Sequence, residues 1–561
     1  MRQLIHILFY KLKSNLKLTV ELTPQGLIKN IGSFLLYGVF AIGAFYFTRA
    51  ALHYLLIEAH LGLFLLHRFL SMALFVFFLT VNLGNIIVSY STLYRSSEVQ
   101  SLFTKPVSFT NIFIVKFFDN FFYSSTTSFL IGLAVIAGYG SYFQMPVFFY
   151  FIVLFLVFVP FMLISASLAV LFLFGLMKLA SRVGIVPVVV SLIVGYISSI
   201  YIYFKMVNPY RLINEIMQYY PNIDFYFDKF DPPFLKYLPN HWAAEFLYWT
   251  SRGEPAGGLF FLYIIVMVSI ITFILLVFVA NKYYRKSWVD SLELKFSRKN
   301  KMVAAENRFR KNLFRNRQFD VLYKKELLQF IREPGQWLHF LILILFMVIF
   351  AVSMTRLEIK SAQPFLQSVV YTVVYLFTAF LIASMAIRFV YPMISMEANN
   401  FWKVRSAPVS ASKIFWIKLL FVLLPILIIG VLLSLFSNWQ FRDEPILIFV
   451  SVVSTLFVIV TLVSVNIGGG SFFSTYDEKN PIRIASTQGA SLIFLLSLIY
   501  LVVITGAVYI TTFHYFEQSS LQSAEGLNRY TIRSAVFVGI FSILVSGSAL
   551  VVGIKSLKRD Y

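Results

Sequence analysis

PILIFVSVVSTLFVIVTLVSVNI, from Pro445 to Ile467, contains no charged residue. About 20 such residues are what a helix needs to cross roughly 30 Å of hydrocarbon. Inside lipid every backbone amide must be satisfied within its own segment, and the run lacks the two-residue alternation of a membrane barrel. It therefore reads as a spanning helix. Similar runs recur along all 561 residues, which are 59% hydrophobic and only 13% charged, with a mean hydropathy of +0.80. A soluble domain carries about 25% charged residues, so the fold class is all-α, a polytopic helical membrane protein.

Spans are predicted at roughly 32–57, 69–93, 112–138, 145–178, 184–206 and 259–281, then at roughly 336–354, 366–391, 413–437, 444–468, 490–512 and 531–554. That makes about 12 transmembrane helices in two tandem six-helix halves. The span over 145–178 is long enough for a steep tilt or a kink at Pro160. The first half covers 1–281, with an amphipathic lead-in over 1–20 and an external aromatic loop over 207–258. A basic linker with a second lead-in helix covers 282–335, and the second half covers 336–561.

Charge sets the orientation, because Lys and Arg are retained on the cytoplasmic side of short loops. The stretch from Lys282 to Gly335 holds fifteen Lys and Arg against six Asp and Glu, whereas Val207 to Gly258 holds four against six. The first is expected inside and the second outside, with both termini cytoplasmic at the cell (plasma or inner) membrane. The net charge of +22 is then a topology signal rather than a nucleic-acid footprint. With no cysteine in the chain, disulfides, thiolate metal sites and cysteine nucleophiles are excluded. His53, His60 and His67 recur every seven residues but straddle a turn, and read as interfacial side chains rather than a metal site.

A repeat follows the second span of each half. SSEVQSLFTKPVSFTNIFIVK runs from Ser96 to Lys116, and SMEANNFWKVRSAPVSASKIFWIK from Ser395 to Lys418. Each places a Ser and a Glu before Pro-Val-Ser, with a Lys ten residues beyond the proline. The candidate residues are Glu98, Phe103, Pro106, Ser108 and Lys116 in the first turn, and Glu397, Phe401, Trp402, Pro408, Ser410 and Lys418 in the second. Proline ends one helix and lets the next begin, which makes a short rigid element across the ends of two spans. Lys116 and Lys418, near the ends of spans, are expected to snorkel outward.

The second turn resembles that of permeases of the type-two ABC exporter superfamily, in particular the bacterial and archaeal permeases termed "putative ABC exporter", in its order of Glu397, Phe401-Trp402, Ala407-Pro408, Ser410 and Lys418. Ala398 departs from the glycine usual there. TYDEKNPIRIAS from Thr475, with Asp477, Glu478, Asn480 and Pro481, resembles that family's second cytoplasmic loop. LPNHWAAEFLYW from Leu238 resembles its external segment before the sixth span. The resemblance implies an exporter of a hydrophobic or amphipathic substrate, with its turns seated on two ABC ATPase subunits and the rest in contact with membrane lipid.

No G-x-x-x-x-G-K-[ST] phosphate loop occurs, and Gly468, Gly469 and Gly470 lack the following Lys. On this reading the chain is non-catalytic, holds no cofactor, and leaves ATP and Mg2+ to the partner. Two other classes remain. An ion-coupled secondary transporter would show ionisable residues near the membrane centre, and a membrane-embedded lipid-modifying enzyme would cluster His or carboxylates at one interface.

Overall fold

The computed structural model describes residues 24–58, 62–94, 96–207, 233–308, 317–332, 334–355, 364–400, 402, 406–476, 481–519 and 524–560. Among them every regular element is a helix. Ten helices among the described residues are long and apolar enough to cross a membrane. Two shorter apolar stretches, Ser128–Tyr142 and His339–Thr355, lie in the regions of the other two expected spans. The chain is thus an all-α polytopic protein, divided into two compact units. One contains Tyr37–Ala305; the other contains Glu306–Tyr561 and Val20–Leu36.

The first unit contains α1 (Pro24–His53, shared with the second), α2 (Gly62–Tyr94), the short α3 (Ser97–Phe103) and α4 (Phe109–Tyr142). Next come α5 (Val147–Ile152), a π-helical turn (Val153–Phe158) and α6 (Val159–Val183). These last three form one continuous 37-residue apolar rod. Proline removes a helical donor and crowds the preceding turn, and here the turn before Pro160 is wound as a π-helix, a recognised way to absorb such a defect. Gly184, at φ 97°, then ends α6; that left-handed backbone is one only glycine adopts freely. It is followed by α7 (Ile185–Val207), α8 (Pro239–Ser251) and the 54-residue α9 (Pro255–Arg308).

The second unit opens with α10 (Arg317–Arg332) and continues through α11 (Pro334–Thr355), α12 (Pro364–Phe389), α13 (Ala411–Ser437) and α14 (Pro445–Phe472). A four-residue α15 (Pro481–Ile484), α16 (Gln488–Ser519) and α17 (Ala524–Asp560) complete it. The uncharged run quoted first is α14, which packs closely on α17. A small residue permits the approach, since a Cβ on Gly468 would stand 2.4 Å from the Ala549 carbonyl oxygen of α17; on another side of α14 one on Gly470 would stand 2.2 Å from that of Tyr391, just past α12. Membrane helices associate through such small-residue contacts. Between them α12, α13, α14 and α16 bury Tyr371, Phe415, Ile459 and Ile504 in one apolar core.

The amphipathic lead-in over 1–20 lies outside the described residues, as do Tyr219, Tyr220, Phe225, Tyr226, Phe227 and Phe230 of the aromatic loop.

Candidate functional sites in the two turns

In the first turn Ser108 caps α4 by accepting a hydrogen bond from the Asn111 amide at 3.3 Å, as an N-cap serine does. The proline-bearing connection thus gives way to helix within two residues, and Lys116 falls on the inner face of α4. It is fully buried, ion-paired to Glu98 on α3 and 3.7 Å from Asp119. Glu98 keeps 46% of its side chain exposed. Phe103 folds inward, its ring 4.6 Å from Trp288 and 4.9 Å from Phe109. Pro106 and Ser108 are exposed.

In the second turn the chain leaves α12 through two 3-10 segments, Tyr391–Met393 and Ser395–Asn400, before α13 begins beyond Ser410. Glu397 and Lys418 are both buried. Lys418 Nζ lies 2.7 Å from Glu397 Oε1 and 2.8 Å from Glu326 Oε1, and donates to the Met393 carbonyl at 3.2 Å. Its three donors are thereby matched to three acceptors. Lys325 pairs with the other face of the cluster through Glu397. Burial by itself raises the Glu397 pKa, but Lys418 and Lys325 outweigh it and hold the carboxyl at about 2. Ser395 Oγ accepts from the Thr475 amide at 3.0 Å, tying this turn to the loop after α14.

The expectation that Lys116 and Lys418 snorkel outward is therefore corrected. Each has a carboxylate within reach on a neighbouring element, so burial with a partner replaces exposure. Trp402 stands 63% exposed, Pro408 and Ser410 are exposed, and Pro481 is buried at the start of α15. Phe401, Asp477, Glu478 and Asn480 lie outside the described residues, as does the side chain of Ala398. Sequence reasoning missed Lys325 and Glu326. Nothing in the spacing of Lys324, Lys325 and Glu326 within the amphipathic α10 segment marks them as partners of Glu397 and Lys418.

A second buried cluster sits in the first unit. Glu245 of α8 is 3.1 Å from Arg68, and Asn240 donates to the Ser71 hydroxyl at 2.9 Å. The segment from Leu238 is thus a helix packed into the unit. His67 hydrogen-bonds the Tyr139 hydroxyl at 2.6 Å, and among the described residues no group of three His, Cys, Asp or Glu could hold a metal ion.

The model of a family described as "Putative ATP-binding cassette" matches residues 26–560. This chain belongs to that family. No curated protein and no solved structure matches it. The family description overturns three expectations: that the chain is a permease of the type-two exporter superfamily, that it is non-catalytic, and that ATP and Mg2+ reside only in a partner. The ABC character of the chain stands, with the ATP function placed in the chain itself.

The described residues do not fit a phosphate-loop site for that nucleotide. Such a loop joins a strand to a helix and cradles phosphates with free glycine amides, whereas Gly468, Gly469 and Gly470 sit inside α14 and are pressed against Ala549, Ile493 and Tyr391. No step below is routed through nucleotide held at these residues.

Proposed function

We propose that this ABC-family chain moves a hydrophobic or amphipathic substrate out of the membrane through its helical units, and that its two Pro-Val-Ser turns are the seats on which further ABC components, nucleotide-binding subunits in two copies, push. The carrying observation is the second turn. There a solvent-facing Trp402 stands five residues from Glu397, which is held by two lysines from α10 and α13. An exposed aromatic on a rigidly held turn has the character of an interface anchor. Force applied to the turn passes through Glu397 and Lys418 into α13, and through Glu326 and Lys325 into α10.

Orientation follows from charge, with Lys282–Gly335 inside the cell and Val207–Gly258 outside. An impermeant thiol reagent on intact cells should then label Asn222→Cys and leave Asn300→Cys unlabelled; the reverse pattern refutes the arrangement. The turns themselves are tested by co-purifying Trp402→Ala with co-expressed ABC nucleotide-binding subunits. Loss of about 2 kcal/mol or more of partner affinity is expected for an anchor. Full retention of the complex would make the turn a mere connector.

A further inference from the structure

Beneath α10 lies a cavity of ≈ 180 Å³, walled by α10, the start of α11, the end of α12 and the middle of α13. Its chemistry is divided. The α12 and α13 walls are apolar, with Met385, Val422 and Ile426, and Met393 joins them from the 3-10 segment after α12, while polar groups come from Tyr323, Glu326 and Gln329 of α10 and Gln336 of α11. Aromatic rings come from both sides. Phe330, Phe340 and Phe389 stand mutually edge-on with centroids 5.9, 6.3 and 5.6 Å apart. The Tyr323 ring meets Phe421 edge-on at 5.3 Å.

Among the described lining residues Glu326 alone carries charge, and the other polar groups, Tyr323, Gln329 and Gln336, are neutral, so the cavity offers an incoming anion no cation. Lys418 has spent its three donors on Glu326, Glu397 and Met393. Both ion pairs of Glu326 use Oε1, leaving its second oxygen out of them. Pro425, inside α13, has no N–H to give the Phe421 carbonyl, and Phe421 and Pro425 both line the cavity. Aromatic faces, a carboxylate oxygen and a carbonyl without its helical donor together attract a diffuse cation; rings grouped in this way are a known means of holding quaternary ammonium groups. The methionines offer an adaptable wall for an alkyl chain.

We propose that this cavity binds the quaternary ammonium head of an amphiphile, with the head among Phe330, Phe340, Phe389 and Glu326 and the alkyl chain along Met385 and Met393. The site stands on its own geometry, whichever way the turns behave, because binding is read without nucleotide or transport.

The test uses the full chain in phosphatidylglycerol nanodiscs with a diazirine-bearing dodecyltrimethylammonium probe. Saturable photolabelling on α12 or α13 is expected, at least tenfold above that of a diazirine-bearing dodecanoate. Val422→Trp fills the cavity and should lower labelling at least fivefold. Phe389→Leu, which removes a ring and, if anything, enlarges the cavity, should lower it severalfold, and serves if the tryptophan variant does not fold. Competition by phosphatidylcholine would assign the head to a membrane lipid, and competition by free dodecyltrimethylammonium alone would assign it to a soluble amphiphile; both uphold the ammonium site. Equal labelling by the dodecanoate probe, or labelling unchanged in both folded variants, overturns it.

Discussion

The two turns share a sequence pattern but are built to different tightness. In the first, Lys116 meets Glu98, whose side chain is 46% exposed, and the turn's aromatic, Phe103, is folded in against Trp288. In the second, Lys418 lies between two carboxylates that are each at most 8% exposed, while its aromatic, Trp402, faces out. A buried charge is tolerated only when its pairing is nearly complete. The second turn satisfies that with a third helix, α10, and is locked in three directions; the first leaves its carboxylate partly in water. One turn thus presents an exposed aromatic above a tightly paired base, and the other folds its aromatic against its own unit.

Lys418→Met should break this contrast most severely. It strands Glu326 and Glu397 beside each other in a buried site, and removing one member of a buried pair costs about 3–5 kcal/mol. A large fall in thermal stability in detergent is the expected readout. Phe103→Ala comes next, at about 2 kcal/mol, below the range for a fully buried ring because Phe103 is half-buried. Lys116→Met should cost about 1 kcal/mol or less, since Glu98 can turn to solvent.

Acid sharpens the same comparison. In the folded chain Lys418 and Lys325 hold the Glu397 pKa near 2, below the 4.5 usual for a glutamate. The unfolded chain therefore takes up this proton first as pH falls. The stability from this group is present above about pH 4.5 and is lost as pH drops toward 2. Comparing the acid melting profile of Glu397→Gln with that of the native chain should show this loss missing from the variant.

Much of the fold was legible because lipid imposes a simple rule: uncharged runs such as Pro445–Ile467 have no alternative to a helix. The repeated Glu, proline and lysine were legible too, and each lysine does meet its glutamate. What could not be read was the third partner. Glu326 lies 92 residues before Lys418, and a one-dimensional pattern carries no signal for a contact made by a helix folding back over two others. The first lead-in, Leu4 to Leu18, contains no Asp or Glu, and it lies outside the described residues. The π-turn before Pro160 was visible only as an expected kink. The family's ATP-binding character was not legible, because the one phosphate-binding signature sought is missing from the sequence.

The most direct test of the coupling account is ATP-driven substrate movement in proteoliposomes, measured for Trp402→Ala and Phe103→Ala at equal amounts of folded protein. The account predicts that Trp402→Ala loses most transport while its melting temperature stays at the native value, and that Phe103→Ala melts earlier yet keeps its transport per folded molecule. Full transport by Trp402→Ala, or equal losses in the two variants, would contradict it.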